Sequence, residues 1–384
     1  MKKALELASV ASMIDLFNRD NIDILKELGY QVDVAANFVD GSITSDARVK
    51  EFKQELIDKG INVYHIPIPR SIFKINQIIK SYKQVKKLCK MNHYQIIHCH
   101  SPIGGVITRI AARKARKKGT DVIYTAHGFH FYRGAPLMNW IIFYPIEKFC
   151  SRFTDYLITI NHEDYRRAYK SFYAKEVKYV PGIGVHVDEI QAIEVDRNKL
   201  REELGLKNND FVIISIGQIS IRKNQKVIIN ALSKIANPQI KYVVVGFGEL
   251  EDELKKLVKE NNLENSIIFT GYRKDAKTLL HVADLFAFPS LQEGLPASLM
   301  EAMAVGLPVV ASNIRGNNDL IEDGVNGFLY NYQDVDAFAN GIVTIFKDHK
   351  LANEMRNNNL KKIINYDQKK VKSIMRELFI EVEL

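Results

Sequence analysis

Short apolar runs alternate, along the first half of the chain, with longer stretches whose apolar residues recur every three or four positions. Runs of the first kind suit strands buried in a parallel sheet, and stretches of the second suit helices laid over it. The runs predict strands at 4–8, 32–35, 62–66, 96–99, 122–125 and 156–159. Ile75, Ile78, Ile79, Tyr82, Val85 and Leu88 share one helical face and leave the lysines on the other. At 179–188, YVPGIGVHVD, the breakers Pro181, Gly182 and Gly184 interrupt the alternation, which then restarts. Further strands are expected at 211–216, 242–245, 266–269, 285–287, 309–311 and 327–329. The pattern predicts two doubly wound α/β domains, 1–185 and 186–365, followed by a helix at 366–384 with Val371, Ile374, Met375, Leu378 and Phe379 as its apolar stripe. Such sheets bind ligands at the carboxyl ends of their strands, which places the expected site in a cleft between the domains.

A length of 384 residues agrees with two domains, and 46% hydrophobic with 26% charged residues is an ordinary globular composition. Cys89, Cys99 and Cys150 fit neither a disulfide framework nor a paired metal motif, which suits a reducing cytosol. The N-terminal apolar stretch is interrupted by Glu6 and Asp15, so it reads as a first strand and turn rather than a leader or membrane span. Charge is uneven: residues 1–185 hold 29 Lys and Arg against 17 Asp and Glu, a balance of +12, whereas the remainder carries −3. From Lys59 to Thr120 there is no acid and there are fourteen basic residues. Nucleic acid, an anionic membrane surface and a phosphorylated substrate are the partners such a polycation suits.

The stretch FPSLQEGLPASLMEAMAVGLPVVAS at 288–312 is the richest in chemistry. A strand enters a Pro- and Gly-rich loop, and a helix starts near Ala297 with its first amides free to hold an anion. Glu293 lies in the loop and Glu301 in the helix. Two acids beside a phosphate site make sense as acceptors of hydrogen bonds from sugar or ribose hydroxyls; for Glu301 the alternative is a solvated helix residue. In GQISIRKNQ at 217–225, Arg222 and Lys223 can sit over a diphosphate, unless they are merely solvated. HCHSPIGG at 98–105 and YTAHGFHFY at 124–132 each follow a strand, so His98, His100, His127 and His130 are site candidates. No acid or cysteine at standard spacing completes a zinc set with them, and no metal is expected. GFGELEDEL at 246–254 suits a loop beside a flat base, with Gly271, Tyr272 and Arg273 as its neighbouring wall; it is not a GxGxxG fingerprint, so a nicotinamide cofactor is rejected. Ser9, Ala11 and Ser12, in the first strand-to-helix turn, could let a ligand approach or simply form the turn.

EGLPxSLMEAMAxGxPVVAS, followed by Gly316, Asp319, Leu320, Ile321 and DGxNGFL at 323–329, resembles glycosyltransferase family 4, retaining enzymes of the GT-B fold. The stretch from His98 to Tyr165, with NWIIFYPIEK and ITINHEDY, looks like the bacterial exopolysaccharide and capsule subgroup. The resemblance implies that Glu293 binds hydroxyls of the transferred sugar, Glu301 the ribose, and the backbone of Gly294, Leu295, Pro296, Ala297, Ser298 and Leu299 the diphosphate. Gly217, Arg222 and Lys223 would serve the diphosphate too; the family's usual arginine is Gln218 here, and Arg222 is expected to replace it. His127 would contact the donor sugar, and His100 would line the same cleft with Ser9 and Ser12 on the acceptor side. The last helix would cross back onto the first domain.

These features imply a retaining hexosyl- or N-acetylhexosaminyltransferase whose donor is a UDP-sugar and whose acceptor is a saccharide on a polyprenyl diphosphate. It would need no cofactor. Catalysis would rest on Arg222 and Lys223 stabilising the departing diphosphate, with His127 and Glu293 on the sugar. The basic domain would hold the enzyme peripherally on the inner face of the cytoplasmic membrane. A sugar-nucleotide epimerase of the same fold is the alternative. A nucleic-acid-binding protein would not need Glu293 and Glu301, and no nucleic acid partner is expected.

Overall fold

The computed structural model describes residues 2–382; Met1, Glu383 and Leu384, which end the expected first and last segments, lie outside them. Contacts divide the described residues into two units. The first runs to Ile183 and takes in the residues from Lys370 onward; the second is Gly184–Lys369.

In the first unit, β1 (Lys3–Val10), β2 (Gln31–Asn37), β3 (Asn62–His65), β4 (Ile96–His100), β5 (Asp121–Ala126), β6 (Tyr156–Thr159) and β7 (Glu176–Tyr179) form one parallel sheet in the order β3-β2-β1-β4-β5-β6-β7. The central strand β1 is buried from Ala4 to Val10, as a parallel strand covered on both faces must be. Alternate residues then separate into two cores. Ala4, Ala8, Ile96 and Ile123 pack on one face with Val371, Met375, Leu378 and Phe379 of the helix Gln368–Val382. Leu5, Leu7, Ile97 and Val122 pack on the other. The terminal helix is therefore part of the first unit's core.

Two details differ from expectation. The pattern gave no strand at β7, whose Glu-Val-Lys-Tyr sequence lies at the sheet edge with no fully buried residue. The helix Ile75–Asn92 forms, but its buried row is Ser81, Val85 and Cys89, and Ile75 and Ile79 are exposed. Ile79 lies about 120° around the helix from Val85, off the buried face.

The second unit holds β8 (Phe211–Ile216), β9 (Ile240–Val245), β10 (Ile267–Gly271), β11 (Leu285–Phe288), β12 (Val309–Ser312) and β13 (Phe328–Tyr330), all parallel, in the order β10-β9-β8-β11-β12-β13. The order reverses direction between β8 and β11, and at such a switch point loops diverge and leave a crevice. Among the described residues no helix is long and apolar enough to cross a membrane.

Candidate active site

At the switch point of the second unit, the loops after β8 and β11 are tied together. Leu291 N donates to Arg222 O, and Asn224 Nδ2 donates to Pro289 O and Tyr332 O. Asn224 adopts a positive φ of 57°, a conformation asparagine tolerates better than most residues. These ties put both cations on one acid. Arg222 Nη1 and Lys223 Nζ each lie 2.8 Å from Glu293 Oε1. Lys223 and Glu293 are nearly buried, at 11% and 10% side-chain exposure, whereas Arg222 is half exposed. Burial pushes the Lys223 ammonium below its ordinary range, against the pull of Glu293, and the Phe288 ring lies 4.4 Å from its nitrogen.

The helix Ala297–Val305 begins after Pro296 with no side-chain cap, so its first amides remain free to bind a ligand. Gly294, Leu295, Ala297 and Ser298 are partly exposed, while Pro296 and Leu299 are buried. Glu301, in the second turn, is mostly buried; burial raises its pKa, and Lys277 Nζ at 3.4 Å opposes the rise. The loop is braced from β12: Arg315 Nε donates to Glu293 O, and Gly316 approaches so closely that a Cβ there would sit 2.3 Å from Gly294 O.

Beside these loops, Gly246 has a φ of 136° and a Cβ there would lie 2.0 Å from Gly217 O, so only glycine lets the turns after β8 and β9 meet. Gln218 donates to Glu249 instead of turning toward Glu293. Gly271 closes β10 with a φ of 67°, and exposed Tyr272 stands edge-on to exposed Phe247 at 6.3 Å. Arg273 is committed to Asp275 at 2.6 and 2.7 Å.

The first unit carries the other candidates. Ser9 lies within β1, not in a turn, and its hydroxyl accepts from Gly104 N; the Ser12 hydroxyl accepts from Ile43 N. Both serines are buried, and both bind neighbouring loops together. The first strand runs on to Val10 and a helix starts at Ala11, which leaves no open turn there. His98 and His100 lie on β4, and His127 follows β5. The buried Glu6 of β1 joins them, with His98 Nδ1 at 2.9 Å and His100 Nε2 at 3.1 Å from its two oxygens. His98 Nε2 meets Thr125 Oγ1 at 2.8 Å, and His100 Nδ1 meets His127 Nε2 at 3.3 Å. Burial depresses the imidazoles, to about 3 for His98 and His100 and about 4 for His127, and raises Glu6 against the hydrogen bond from His100. Ligand atoms of Glu6, His98 and His100 lie within 4.8 Å of one another. Glu6, His98 and His100 are hydrogen-bonded to one another, to Thr125 and to His127 as one polar network.

Glu6, Lys277, Arg315 and Phe247 escaped the sequence reading, since each meets its partner across at least 20 residues of chain. The signal available for Glu6 was an acid inside an otherwise apolar strand.

The family model for glycosyl transferases group 1 matches residues 196–362, and that for glycosyl transferase 4-like domains matches residues 21–161. The Bacillus subtilis protein named "Putative glycosyltransferase EpsD" is 34% identical over 98% of this chain and 96% of its own. The UDP-Gal:alpha-D-GlcNAc-diphosphoundecaprenol alpha-1,3-galactosyltransferase of Escherichia coli is 33% identical over 81% of each chain. Anabaena HepE, crystallised with UDP, superposes with a TM-score of 0.77 at 24% identity, covering 99% of this chain and all of its own. That likeness shows the fold, which is GT-B. Sequence and structure together place this chain in the group 1 family of glycosyl transferases, and it is a glycosyltransferase.

Proposed function

We propose that the enzyme takes its sugar from a UDP-sugar and passes it, with retention of configuration, to a saccharide carried on a polyprenyl diphosphate, in the synthesis of a bacterial surface polysaccharide. The observation that carries this reading is the pairing of Arg222 and Lys223 on Glu293 beside an uncapped helix start. A leaving diphosphate needs cations and free amides where its charge grows, and the transferred sugar needs a fixed acceptor for its hydroxyls. One cluster supplies both. Glu293 is held by two cations and by its loop, so it is suited to binding hydroxyls and poorly suited to attacking carbon. Glu301 would take the ribose, and Phe247 with Tyr272 would flank the base. The names of the relatives support the choice of partners: HepE was crystallised with UDP, and the Escherichia coli enzyme is named for UDP-Gal and a diphosphoundecaprenol acceptor.

Arg222, Lys223 and the helix amides supply the positive charge, so the reading needs no metal or other cofactor. Transfer should be unchanged by a chelator. The deciding assay incubates the full chain with a UDP-sugar panel and a polyprenyl-diphosphate-linked sugar, and reads the new linkage by NMR. Retained anomeric configuration is expected. An inverted product contradicts the mechanism, and donor turnover that ignores the acceptor points to an epimerase.

The same reading places the enzyme peripherally on the inner face of the cytoplasmic membrane. In the first unit Ile72, Phe73, Ile75 and Ile79 are exposed, as are Leu137, Met138 and Ile141 on the helix Leu137–Cys150. Phe73 is 86% exposed. Ile72, Phe143 and Ile146 line one apolar pocket, so the two segments lie side by side. Apolar side chains flanked by Arg70, Lys74 and Lys80 match the interface of an anionic bilayer.

A further inference from the structure

Glu6, His98, His100 and Thr125 share one face of the first unit's sheet because side chains alternate along strands, and His127 follows β5. Glu6 stands opposite His98 in the β1–β4 register, and His100 opposite Thr125 in the β4–β5 register. Every polar atom of the inner network has a partner, so an ionised Glu6 determines where the protons are. An ionised Glu6 can only accept, so His98 carries its proton on Nδ1 and His100 on Nε2. Neutral His98 then accepts the Thr125 hydroxyl at Nε2, and neutral His100 accepts at Nδ1 from His127 Nε2–H. His127 is left with a bare Nδ1, which among the described residues has no hydrogen-bond partner. His127 lines a pocket of the first unit with Phe17, Asn18, Thr125 and the Asp20–Lys372 ion pair.

We propose that Glu6, His100 and His127 form a proton relay in which the buried carboxylate sets the tautomer of His127 and receives, through His100, a proton taken up at His127 Nδ1. The step balances without an imidazolium being left behind. A proton binds His127 Nδ1, the Nε2 proton of His127 passes to His100 Nδ1, and the Nε2 proton of His100 passes to Glu6 Oε2. Both rings are neutral before and after, and the carboxylate becomes a carboxylic acid. The depressed imidazoles and the raised Glu6 agree with this order of protonation. The groups facing the relay are His98 and Thr125 from the sheet, Phe17 beside His127, Phe379 against His98, and Asp20 with Lys372 at the pocket. Lys372 Nζ lies 2.7 Å from Asp20 Oδ1, so these two opposite charges are paired with each other. In sugar transfer to a hydroxyl, a bare nitrogen at His127 is an acceptor for that hydroxyl's hydrogen, and Glu6 and His100 are positioning residues that keep it bare.

The test needs no substrate, so it stands or falls apart from the choice of donor and acceptor. The full chain is labelled with ring-15N histidine, and two-bond proton–nitrogen correlations near neutral pH read each ring's protonation. His127→Asn assigns the signal. His127 should show a protonated Nε2 and a bare Nδ1. In Glu6→Met residue 6 can no longer accept strongly, so His100 should turn its proton toward His127, whose two nitrogen resonances exchange roles. A doubly protonated His127 or one protonated at Nδ1 in the unaltered protein overturns the relay, as does an unchanged His127 in folded Glu6→Met. If that variant fails to fold, His100→Phe replaces it: His127 should lose its single tautomer, and keeping Nε2–H there would equally overturn the proposal.

Discussion

Lys223 is nearly buried, and among the described residues Glu293 is the one acid in hydrogen-bond range of its charge. Removing it should raise the barrier to transfer by roughly 2–4 kcal/mol at saturating donor, as for other preorganised contacts to developing charge. Turnover of Lys223→Ala under those conditions checks this. A second consequence concerns pH. The ammonium must be charged to serve a diphosphate, and burial lowers its pKa from the ordinary 10.5. The alkaline limb of the rate profile should therefore fall below an ordinary lysine's range, and Lys223→Arg should push that limb upward. A limb unmoved in that variant would assign it to another group. At this scale Glu293, Glu301, Arg222 and Lys223 were legible because their segments carry a recognisable motif. Glu6 was not, because an acid in strand β1 acquires meaning only from histidines 92 and 94 residues away.

At the scale of elements, the loops around Glu293 depend on close backbone approaches. Gly316 has a φ of 83° and no room for a Cβ against Gly294 O. Gly316→Ala should cost about 1–3 kcal/mol in stability from backbone strain, and more in donor binding because the displaced atoms belong to the Glu293 loop. Chemical denaturation and nucleotide-sugar titration separate the two effects. Elsewhere, the helices Ala11–Phe17 and Asp46–Asp58 are joined through Asp15, Arg19, Arg48 and Glu55. The Arg48 hydrogen bond is the chief cause of a Glu55 pKa lowered from 4.5 to about 2. A depressed carboxylate stabilises the fold above its unfolded value and loses that contribution as pH falls through the folded one. Melting temperature should thus decline between these two values, and Arg48→Ala should flatten the decline. Central strands such as β1 and β8 could be read from continuous apolar runs. The edge strand β7 could not, since one polar, half-exposed turn of sequence looks the same in a loop.

For the whole molecule, the two units part between Ile183 and Gly184, within the breaker cluster at 179–188, while the return of the chain at Lys370 is invisible to periodicity. Only the resemblance to a known family suggested that the last helix would join the first unit. The uneven charge belongs to that unit, together with its exposed Phe73 and Ile141. Flotation with liposomes should show binding that rises with anionic lipid and falls with salt, because exposed charges are screened within about 8 Å at physiological ionic strength. Binding indifferent to both would remove the membrane from the account. The central claim is that Glu293, Arg222 and Lys223 hold a UDP-sugar. Its most direct test is thermal unfolding of the full chain against a panel of nucleotide sugars. A true donor at about 100 times its Kd should add about 2.7 kcal/mol of stability, and Lys223→Ala and Glu293→Gln should abolish most of that gain. An equal gain in those variants, or stabilisation by no UDP-sugar in the panel, would contradict it.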